Sequence, residues 1–503
     1  MPQGEQQLLG PRLNKNKSGD ADVNTPIAAY NDMKSRFQLP ADLMGGTQAM
    51  RDAAQLYLPQ MPKESNDRYR TRLLQSVLYE AYRHTVDSMT GRPFGQPVQL
   101  GTGAQPFFEE FIEDVDLAGT DLTSFARELL RDLLVYGKCH ILVEYPNTAM
   151  LSGRLGRRLT IQDESQLGIR SYFVRVSPEQ VIGWRGARVG GREVLEQVRI
   201  RTTMIEPSED NQWSQEERDY VAVLTPREIQ MWGQNEDTDE WRLVDEPYVN
   251  TLGEIPIVTV YANRQQLLTS YPPLESLAYL NAKHWQTQSD QDQIEKVARV
   301  PMLFFKGFAD EDIQSVEVGP YKLFGNRSPE SDIKVVETNG DAVRVGRESL
   351  NDLVEQMESM AMQPLMRKPG NPTATQIAVD AAQNVSDLEA YVILLEKGLQ
   401  QALDYAARWQ GLALEPPEVK ISQDFGFVFG AKEELAEIRE DYKLGAIDQR
   451  TYLWERQRRG LYSEDMDMDD VIEQSTADAA MGMHAAAAPV LEDDDIEINE
   501  AAG

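Results

Sequence analysis

The sequence has very few cysteines and histidines, which are the residues that form disulfides and the commonest ligands of zinc. Among 503 residues there is one cysteine, Cys139, and there are four histidines, which are His84, His140, His284 and His484. A single cysteine cannot form an internal disulfide, and it leaves no thiol cluster for zinc or iron. No two histidines stand at a ligand spacing with an acidic neighbour that would complete a site. The sequence therefore predicts no metal centre and no cofactor.

Long apolar runs are also missing. No segment approaches the roughly 18 consecutive apolar residues that a membrane-spanning helix needs. The N-terminal stretch MPQGEQQLLGPRLNKNKSGDADVNTP lacks the apolar middle and the small-residue cleavage site of a signal peptide. We therefore expect a soluble protein that is made in the cytoplasm and has no membrane partner. Its 503 residues exceed the roughly 100–200 residues of a usual domain, so several domains are expected.

Positive charge is scarce. Fifty basic residues against 82 acidic ones give a net charge of −32. From Ser463 to the end there are 13 acidic residues and no lysine or arginine, which leaves 69 acidic against 50 basic residues, or −19, in the rest of the chain. Tight binding to nucleic acid needs basic side chains that neutralise phosphates, so this charge argues against a protein that grips DNA. If the part of the chain before Ser463 meets DNA, its negative charge should repel the DNA more than bind it.

Catalytic motifs are absent as well. The patterns G-x-x-x-x-G-K-[ST], H-E-x-x-H and G-x-S-x-G do not occur. Cys139 and His140 are adjacent in a predicted strand, where neighbouring side chains point to opposite faces, so they do not make a thiol–base pair. Cys139 is predicted to be buried and structural. The sequence predicts a protein that is not an enzyme, although its scattered carboxylates leave a hydrolase of unrecognised type as an alternative.

The N-terminal half begins with predicted helices. A mixed helical stretch is expected from Ala29 to Leu58, where Pro59 and Pro62 stop helix propagation. One continuous helix, capped within 65–67, should then run to the turn GRPFGQP. Its inward-facing side chains are predicted at Tyr69, Leu73, Leu74, Val77, Leu78, Ala81 and Val86.

A sheet is expected to follow these helices. A helix over 121–135 should close at Gly137 and lead into the strand CHILVEYP. Residues 172–261 alternate β-branched and aromatic residues between turn signals, which predicts a β-rich segment. Together these elements predict one α+β domain.

The C-terminal half alternates helices with a small β insert. A helix is predicted over 273–297. Its middle, NAKHWQTQSDQDQ, is polar nearly all round, so the helix is expected to pack against neighbours that also accept polar faces. Within this stretch His284 and Trp285 are predicted to pack rather than to stack on bases. Strand-like pieces, VPMLFFKGF, YKLFG and IKVVET, precede a helix over 347–362 and a long heptad-like helix over 375–410. A short strand, FGFVFG, a last helical region over 433–460 and an acidic tail complete the chain.

Five segments in order resemble the portal proteins of tailed bacteriophages, and in particular the branch long labelled as a domain of unknown function. They are YLPQMPKESNDRYRTRLLQSVLYEAYRHTVDSMTGRPF, YFVRVSPEQVIGWR, PPLESLAYLNAKHWQTQSDQDQ, PTATQIAVDAAQNVSDLE and LGAIDQRTYLWERQRRGL. No single segment is a catalytic signature, and their collinearity over 29–461 carries the resemblance. Portal proteins form rings, usually of twelve subunits, through which DNA enters and leaves the capsid.

The resemblance implies a portal fold with an α+β wing, a two-helix stem, a small β clip, a long helix and an α-helical crown. The implied division is a flexible arm at 1–28, the wing at 29–271, stem helices at 272–298 and 346–362, the clip at 299–345, the tunnel loop at 363–375, the long helix with a return strand at 376–430, the crown at 431–475 and an acidic disordered tail at 476–503. It implies a location at the capsid vertex of a virion that is assembled in the host cytoplasm. The implied partners are other copies of the chain, the terminase large subunit, a head–tail adaptor, the major capsid protein, scaffold protein and, transiently, double-stranded DNA.

The resemblance also implies functional residues. Arg367, Lys368 and Asn371 lie in the implied tunnel loop, where a basic ring would touch phosphates in passing. In the implied clip, Lys306, Lys322 and Arg327 are candidates for partner binding. On sequence alone, a solvated loop explains Arg367 and Lys368 better, and ordinary β-surface charge is the better explanation of any one of Lys306, Lys322 and Arg327. A head–tail adaptor or scaffold protein remains the other structural alternative.

Overall fold

The computed structural model describes residues 22–146, 157, 160, 163, 166–207, 213–234, 240–299, 302–306, 332–336, 340–360, 374–423, 439–440, 442–444 and 447–458. Contacts divide the chain into two compact units, Met1–Phe425 and Gly426–Gly503. Helices and strands are mixed along the first unit, so the predicted α+β class is confirmed. Most of the predicted arm, the predicted strands YKLFG and FGFVFG, and the acidic tail lie outside the described residues.

As far as residue 176, the described residues form six α-helices and three strands, besides a short 3-10 helix at Ala54–Leu56. They are α1 (Ala28–Met44), α2 (Gly46–Ala53), α3 (Asn66–Gln75), α4 (Ala81–Gly91), β1 (Gln99–Leu100), α5 (Pro106–Phe111), α6 (Leu122–Tyr136), β2 (Lys138–Glu144) and β3 (Tyr172–Val176). Asp121 caps α6 by accepting hydrogen bonds from two backbone N–H groups of its first turn. Gly137 ends α6 with φ +77°, and a Cβ there would lie 2.2 Å from the carbonyl oxygen of Tyr271. The predicted helix over 121–135 and the strand after it are confirmed.

The β-rich segment forms two main sheets. Its strands are β4 (Val181–Val189), β5 (Arg192–Pro207), β6 (Gln215–Leu224), β7 (Glu228–Gln234), β8 (Trp241–Leu243), β9 (Tyr248–Val249), β10 (Ile257–Tyr261), β11 (Arg264–Gln266) and β12 (Thr269–Ser270). The larger, antiparallel sheet has the order β4-β5-β6-β7-β8, with β9 also paired to β7. The smaller has the order β10-β2-β3, with Val260 opposite Cys139.

Two apolar clusters lie on these sheets. One joins the two sheets through Leu142, Val198 and Ile257. The other seats Met33 and Phe37 of α1 on the larger sheet. Alternate residues along the strands of the larger sheet belong to one cluster or the other, as expected for a sheet that is buried on both faces. The larger sheet therefore holds α1 in place.

The rest of the first unit contains the longest helices. The elements among its described residues are α7 (Glu275–Arg299), β13 (Met302–Lys306), β14 (Asp332–Val336), α8 (Asp341–Met360), α9 (Ala374–Trp409) and β15 (Val419–Lys420). The helices predicted over 273–297 and 375–410 are confirmed with small shifts at their ends. The helix predicted over 347–362 begins six residues earlier, at Asp341, which stands in its first turn. Asp341 suits this position because an acidic side chain is favourable at the positive end of the helix dipole.

The single helix predicted from 65–67 to the turn GRPFGQP is wrong, because the chain leaves the helix between α3 and α4. Ser76 has an extended backbone with ψ 135°, and its carbonyl oxygen accepts two hydrogen bonds from Arg51 at 2.8 and 3.1 Å. On the far side of the break, the backbone N–H of Tyr82 donates to Asn281 Oδ1 at 2.9 Å. These partners replace helical hydrogen bonds, so the break costs little. Leu74 and Val77, predicted to face inward, are exposed.

The second unit is described in part. Its helix α10 spans Gln449–Arg458, within the region predicted to be helical over 433–460. Tyr442 stacks on Tyr452 with ring centroids 4.6 Å apart. Across the described residues of the whole chain, no helix is both long and apolar enough to cross a membrane.

Candidate functional site

The candidate site is built around a close pair of helices, α7 and α8. Between them in sequence stand the antiparallel strands β13 and β14, which we together call the hairpin. Gln291 of α7 donates a hydrogen bond to the carbonyl oxygen of Val343 at 2.9 Å. A Cβ on Gly346 would lie only 1.8 Å from Gln291 Oε1. A glycine inside a helix costs roughly 1 kcal/mol relative to alanine, so its presence here fits the need for close approach. Arg347 and Glu295 add an ion pair at 3.1 Å.

The polar middle of α7 is buried within the same chain. The side-chain amide of Asn281 donates to the carbonyl oxygen of Tyr79 at 2.7 Å, and Gln286 donates to that of Tyr57 at 2.6 Å. Asn281, Ser289 and Gln291 are all buried. For these residues, the neighbours that the polar middle of α7 was expected to need lie within the same chain. Loops and helices that are distant in sequence supply their partners, and a buried polar group is stable when it is hydrogen-bonded in this way.

Arg72 fastens α3 to α7. Its guanidinium donates to both carboxylate oxygens of Glu64 at 2.9 Å, to the carbonyl oxygen of Pro59 at 2.9 Å, and to Ser289 Oγ at 3.4 Å. The hydrogen bonds from Arg72 hold the pKa of Glu64 below its usual value. A bidentate arginine–carboxylate pair is geometrically specific, so it fixes the orientation of α3.

His284 and Trp285 pack inside the protein, as predicted. Trp285 is fully buried, and His284 lies against the ring of Tyr79 with centroids 5.3 Å apart. Burial lowers the pKa of His284. Neither ring is available for stacking on a nucleic-acid base in this fold.

Lys306, one of the predicted clip residues, lies at the end of β13. It pairs in register with Asp332 on β14, and Phe304 pairs with Lys334. Side chains two apart on a strand share a face, so these four lie on one side of the hairpin, and all four are exposed. That face is open to a partner. Lys322 and Arg327 lie outside the described residues.

The predicted tunnel-loop residues Arg367, Lys368 and Asn371 also lie outside the described residues. The described helices bracket them, since α8 ends at Met360 and α9 begins at Ala374. Of the six predicted site residues, the structure thus places Lys306 alone. The roles of all six remain predictions.

The C-terminal half of α9 is anchored on the smaller sheet. Trp409 Nε1 donates to the carbonyl oxygen of Val143 at 2.9 Å, and Ser171 Oγ donates to that of Ala406 at 2.9 Å. The seam residues of this half, which are Leu388, Val392, Leu395, Leu399, Ala402 and Ala406, are buried, and the helix packs against α6, β2 and β10. The C-terminal half of the long helix is therefore packed as part of the α+β domain.

Two other groups titrate near neutrality, but both are buried. Burial lowers the pKa of Lys138 to about 7 and raises that of Asp132 to about 7. A substrate has no access to either side chain, so they do not form an open catalytic pair. Cys139 is buried, as predicted. Within the described part of the chain, no group of three or more potential ligand side chains is arranged to hold a metal ion.

The exposed surface of α3 was missed by the sequence reasoning. Leu74 and Val77 fit an inward-facing helical pattern only if α3 and α4 are continuous, and the break turns both outward. No local pattern marks the break, because its hydrogen-bond partners Arg51 and Asn281 lie 25 and 199 residues away from Ser76 and Tyr82.

A family model described as "Domain of unknown function (DUF4055)" matches residues 273–410. This range starts just before α7 and ends just after α9, so it includes the helix pair, the hairpin and the long helix. No curated protein matches the chain.

Solved structures of gene transfer agent (GTA) particles contain chains with a partial likeness to this one. A chain of the neck of an empty GTA particle, computed with C6 symmetry, is 12% identical with a TM-score of 0.41, over 82% of this chain and 98% of that one. A chain of the virion of the native particle is 11% identical with a TM-score of 0.39, over 82% and 98%. A chain of the native neck, computed with C12 symmetry, is 11% identical with a TM-score of 0.38, over 76% and 89%. At these scores the likeness is partial and carries no functional conclusion.

Proposed function

We propose that this chain is the portal protein of a tailed phage or phage-like particle. In this proposal twelve copies form a ring at one capsid vertex, and DNA is packaged and ejected through the ring's axial channel. The observation that carries the proposal is the succession of a helix, a hairpin, a second helix and a 36-residue helix between Glu275 and Trp409. The sequence predicts the same succession, and the matching family model spans the same range.

Each part of the succession has a role in the proposal. Helices α7 and α8 form the stem, the hairpin belongs to the clip, and residues 363–375 form the tunnel loop. The clip docks the terminase large subunit during packaging and the head–tail adaptor afterwards. The exposed hairpin face that carries Phe304 and Lys306 supports this docking role. The body of the ring meets the major capsid protein and the scaffold.

The charge of the chain suits a conduit. A body with a net charge of −19 repels the DNA backbone, which keeps a passing duplex from adhering. Arg367 and Lys368, with Asn371 beside them, would make transient phosphate contacts inside the channel. The sequence has no P-loop motif, so the energy for packaging comes from the partner motor in this proposal.

The channel role of the loop can be tested by replacing Arg367 and Lys368 together with alanine in a packaging-competent particle. We expect rings to assemble normally and the fraction of DNA-filled particles to fall several-fold, because the passing duplex loses its basic contacts. The measurement is the DNA content of purified particles, with ring assembly checked by negative-stain microscopy.

The matched control is Arg188→Ala with Arg192→Ala, which removes the same charge from the exposed end of the β4–β5 strand pair. This control should package normally. Unchanged DNA content in the Arg367 and Lys368 variant would remove the contact role from the proposal.

A further inference from the structure

A pocket of about 350 Å³ lies on the larger sheet, on the face that seats α1. Strands β4, β5, β6 and β7 supply most of its lining, and Val23 and Ile27, just ahead of α1, supply the rest. These two side chains pack, together with Trp184 and Trp232, against the cluster that seats α1, so the pocket has an apolar floor. A volume of this size suits a small ligand or a few side chains of a peptide.

The charge of this pocket is positive. Arg185 and Arg199 line it, no acidic side chain is among the described residues that do so, and we call it the arginine pocket. Burial lowers the pKa of Arg199; nearby Asp22 opposes this shift, and Arg185 adds to it. The Asp22 carboxylate lies within its own turn, where it accepts hydrogen bonds from the backbone N–H of Asn24 at 3.0 Å and the hydroxyl of Thr25 at 2.8 Å. In a chain with 82 acidic and 50 basic residues, such a pocket is a local site for negative charge.

The same face of the sheet already holds a peptide segment of this chain. Arg199 Nη1 donates to the carbonyl oxygen of Val23 at 2.7 Å, and Arg201 Nη2 donates to that of Asn24 at 3.0 Å. Both hydrogen bonds hold main-chain groups, so this face is suited to peptides. Arg185 is exposed and has neither a hydrogen bond of this kind nor an ion pair within the described part of the chain. It is left for a second peptide.

We propose that the arginine pocket binds an acidic peptide of a partner protein. A glutamate or aspartate side chain of the peptide lies against Arg185 and Arg199, because arginine and carboxylate form paired, charge-assisted hydrogen bonds. A neighbouring apolar side chain lies on Trp184 and Trp232. The negative charge of the whole chain repels a nucleic acid, whereas a single carboxylate can enter. Residues 1–21 of this chain do not suit the pocket, since they carry three basic side chains against two acidic ones.

Isothermal titration calorimetry of the full chain with synthetic peptides tests this proposal. The probe is a capped pentapeptide in which isoleucine and glutamate alternate, and its matched control has glutamine in place of glutamate. We expect one glutamate peptide to bind per chain. The glutamine peptide should bind about tenfold more weakly, because it loses the hydrogen bonds between charged groups. A short oligothymidylate should not displace the glutamate peptide.

Two variants remove the positive charge of the pocket and leave its apolar floor intact. Arg185→Ala deletes an exposed guanidinium, and Gln197→Glu places a carboxylate opposite Arg185 in the register of β4 and β5. Each should weaken binding of the glutamate peptide about tenfold and should keep the circular dichroism spectrum of the wild type. The control is Arg188→Ala, which removes an exposed charge from the same strand outside the pocket and should bind like the wild type.

Three results would overturn the proposed site. They are no binding of the glutamate peptide at millimolar concentration, equal binding of the glutamine peptide, and wild-type binding by Arg185→Ala. Displacement of the peptide by oligothymidylate would instead make the pocket a nucleic-acid site and would also overturn the proposal. None of these outcomes bears on the proposed portal ring, because the arginine pocket is formed within one chain.

Discussion

Replacement of Trp285 by alanine is expected to lower the free energy of unfolding by about 3–5 kcal/mol, the range observed when a buried tryptophan is truncated. Trp285 is the largest of the fully buried side chains in the described residues. It lies on α7, which packs against α1, α4 and α8. Truncation would leave a cavity among these helices, and the surroundings would relax only partly. The measurement is urea unfolding at one fixed subunit concentration, because assembly makes stability depend on concentration.

The chain offers a matched control for this prediction. Trp213 is 86% exposed, so Trp213→Ala should change the free energy of unfolding by no more than about 0.5 kcal/mol. If both variants unfold at the urea midpoint of the wild type, Trp285 is not a core residue. A Trp285→Ala variant that is stable but packages no DNA would instead favour a direct nucleic-acid role.

The free energy of unfolding should rise with pH between about 7 and 10, and Lys138→Met should remove much of that rise. The Lys138 side chain is fully buried, with its ammonium 2.7 Å from the carbonyl oxygen of Leu268 and 5.3 Å from the ring centre of Trp184. Burial lowers its pKa to about 7 in the folded chain, from an ordinary value of 10.5. His140, its buried neighbour on the same face of β2, has its pKa lowered by burial and by Lys138.

Stability increases with pH in this range because the folded and unfolded chains bind different numbers of protons. Between the folded and unfolded pKa values of Lys138, the unfolded chain holds a proton that the folded chain has lost, so stability increases with pH. Each pH unit contributes about 1.4 kcal/mol, and the window of roughly three units gives about 4 kcal/mol in total. Below pH 7 both states are protonated, and the contribution of this residue stays constant.

The measurement compares urea unfolding of the wild type and of Lys138→Met at pH 7, 8, 9 and 10. The difference between them should grow with pH by about 4 kcal/mol in favour of the wild type. Lys283, which is exposed on α7, provides the control, and Lys283→Met should run parallel to the wild type. Parallel curves for Lys138→Met would mean that this ammonium is hydrated in the folded protein.

Much of the fold is readable from local sequence. The long helix α9 follows from apolar residues at alternating steps of three and four, and α6 from its Asp121 cap and its Gly137 stop. Both signals act within a few residues of the sequence, and the tertiary contacts of these two helices agree with them. The β-rich segment is equally clear, because β-branched and aromatic residues alternate between turns.

The structure differs from the sequence-based predictions where contacts with residues distant in sequence determine the local conformation or burial. The break between α3 and α4 depends on Arg51 and Asn281, which no local pattern links to Ser76. The polar residues of α7 are stabilised by carbonyl groups at Tyr57 and Tyr79 and by Arg72. From composition alone, the polar residues of α7 are typical of a solvent-exposed surface or of an interface between copies. Lys138 is likewise buried, at the start of β2 and one residue before the predicted strand CHILVEYP.

The candidate site was less predictable than the fold. Lys306 is exposed on the hairpin, but exposure does not separate a partner contact from ordinary surface charge. Arg367, Lys368, Asn371, Lys322 and Arg327 lie outside the described residues. A function in a ring depends on surfaces that only a second copy completes, and one chain shows at most their charge and exposure.

The mass of the purified particle in solution tests the central claim most directly. Mass photometry or light scattering at micromolar subunit concentration should give a species near twelve times the mass of one chain, and negative-stain images should show a ring with a central opening. A strictly monomeric protein under the same conditions would contradict the portal proposal.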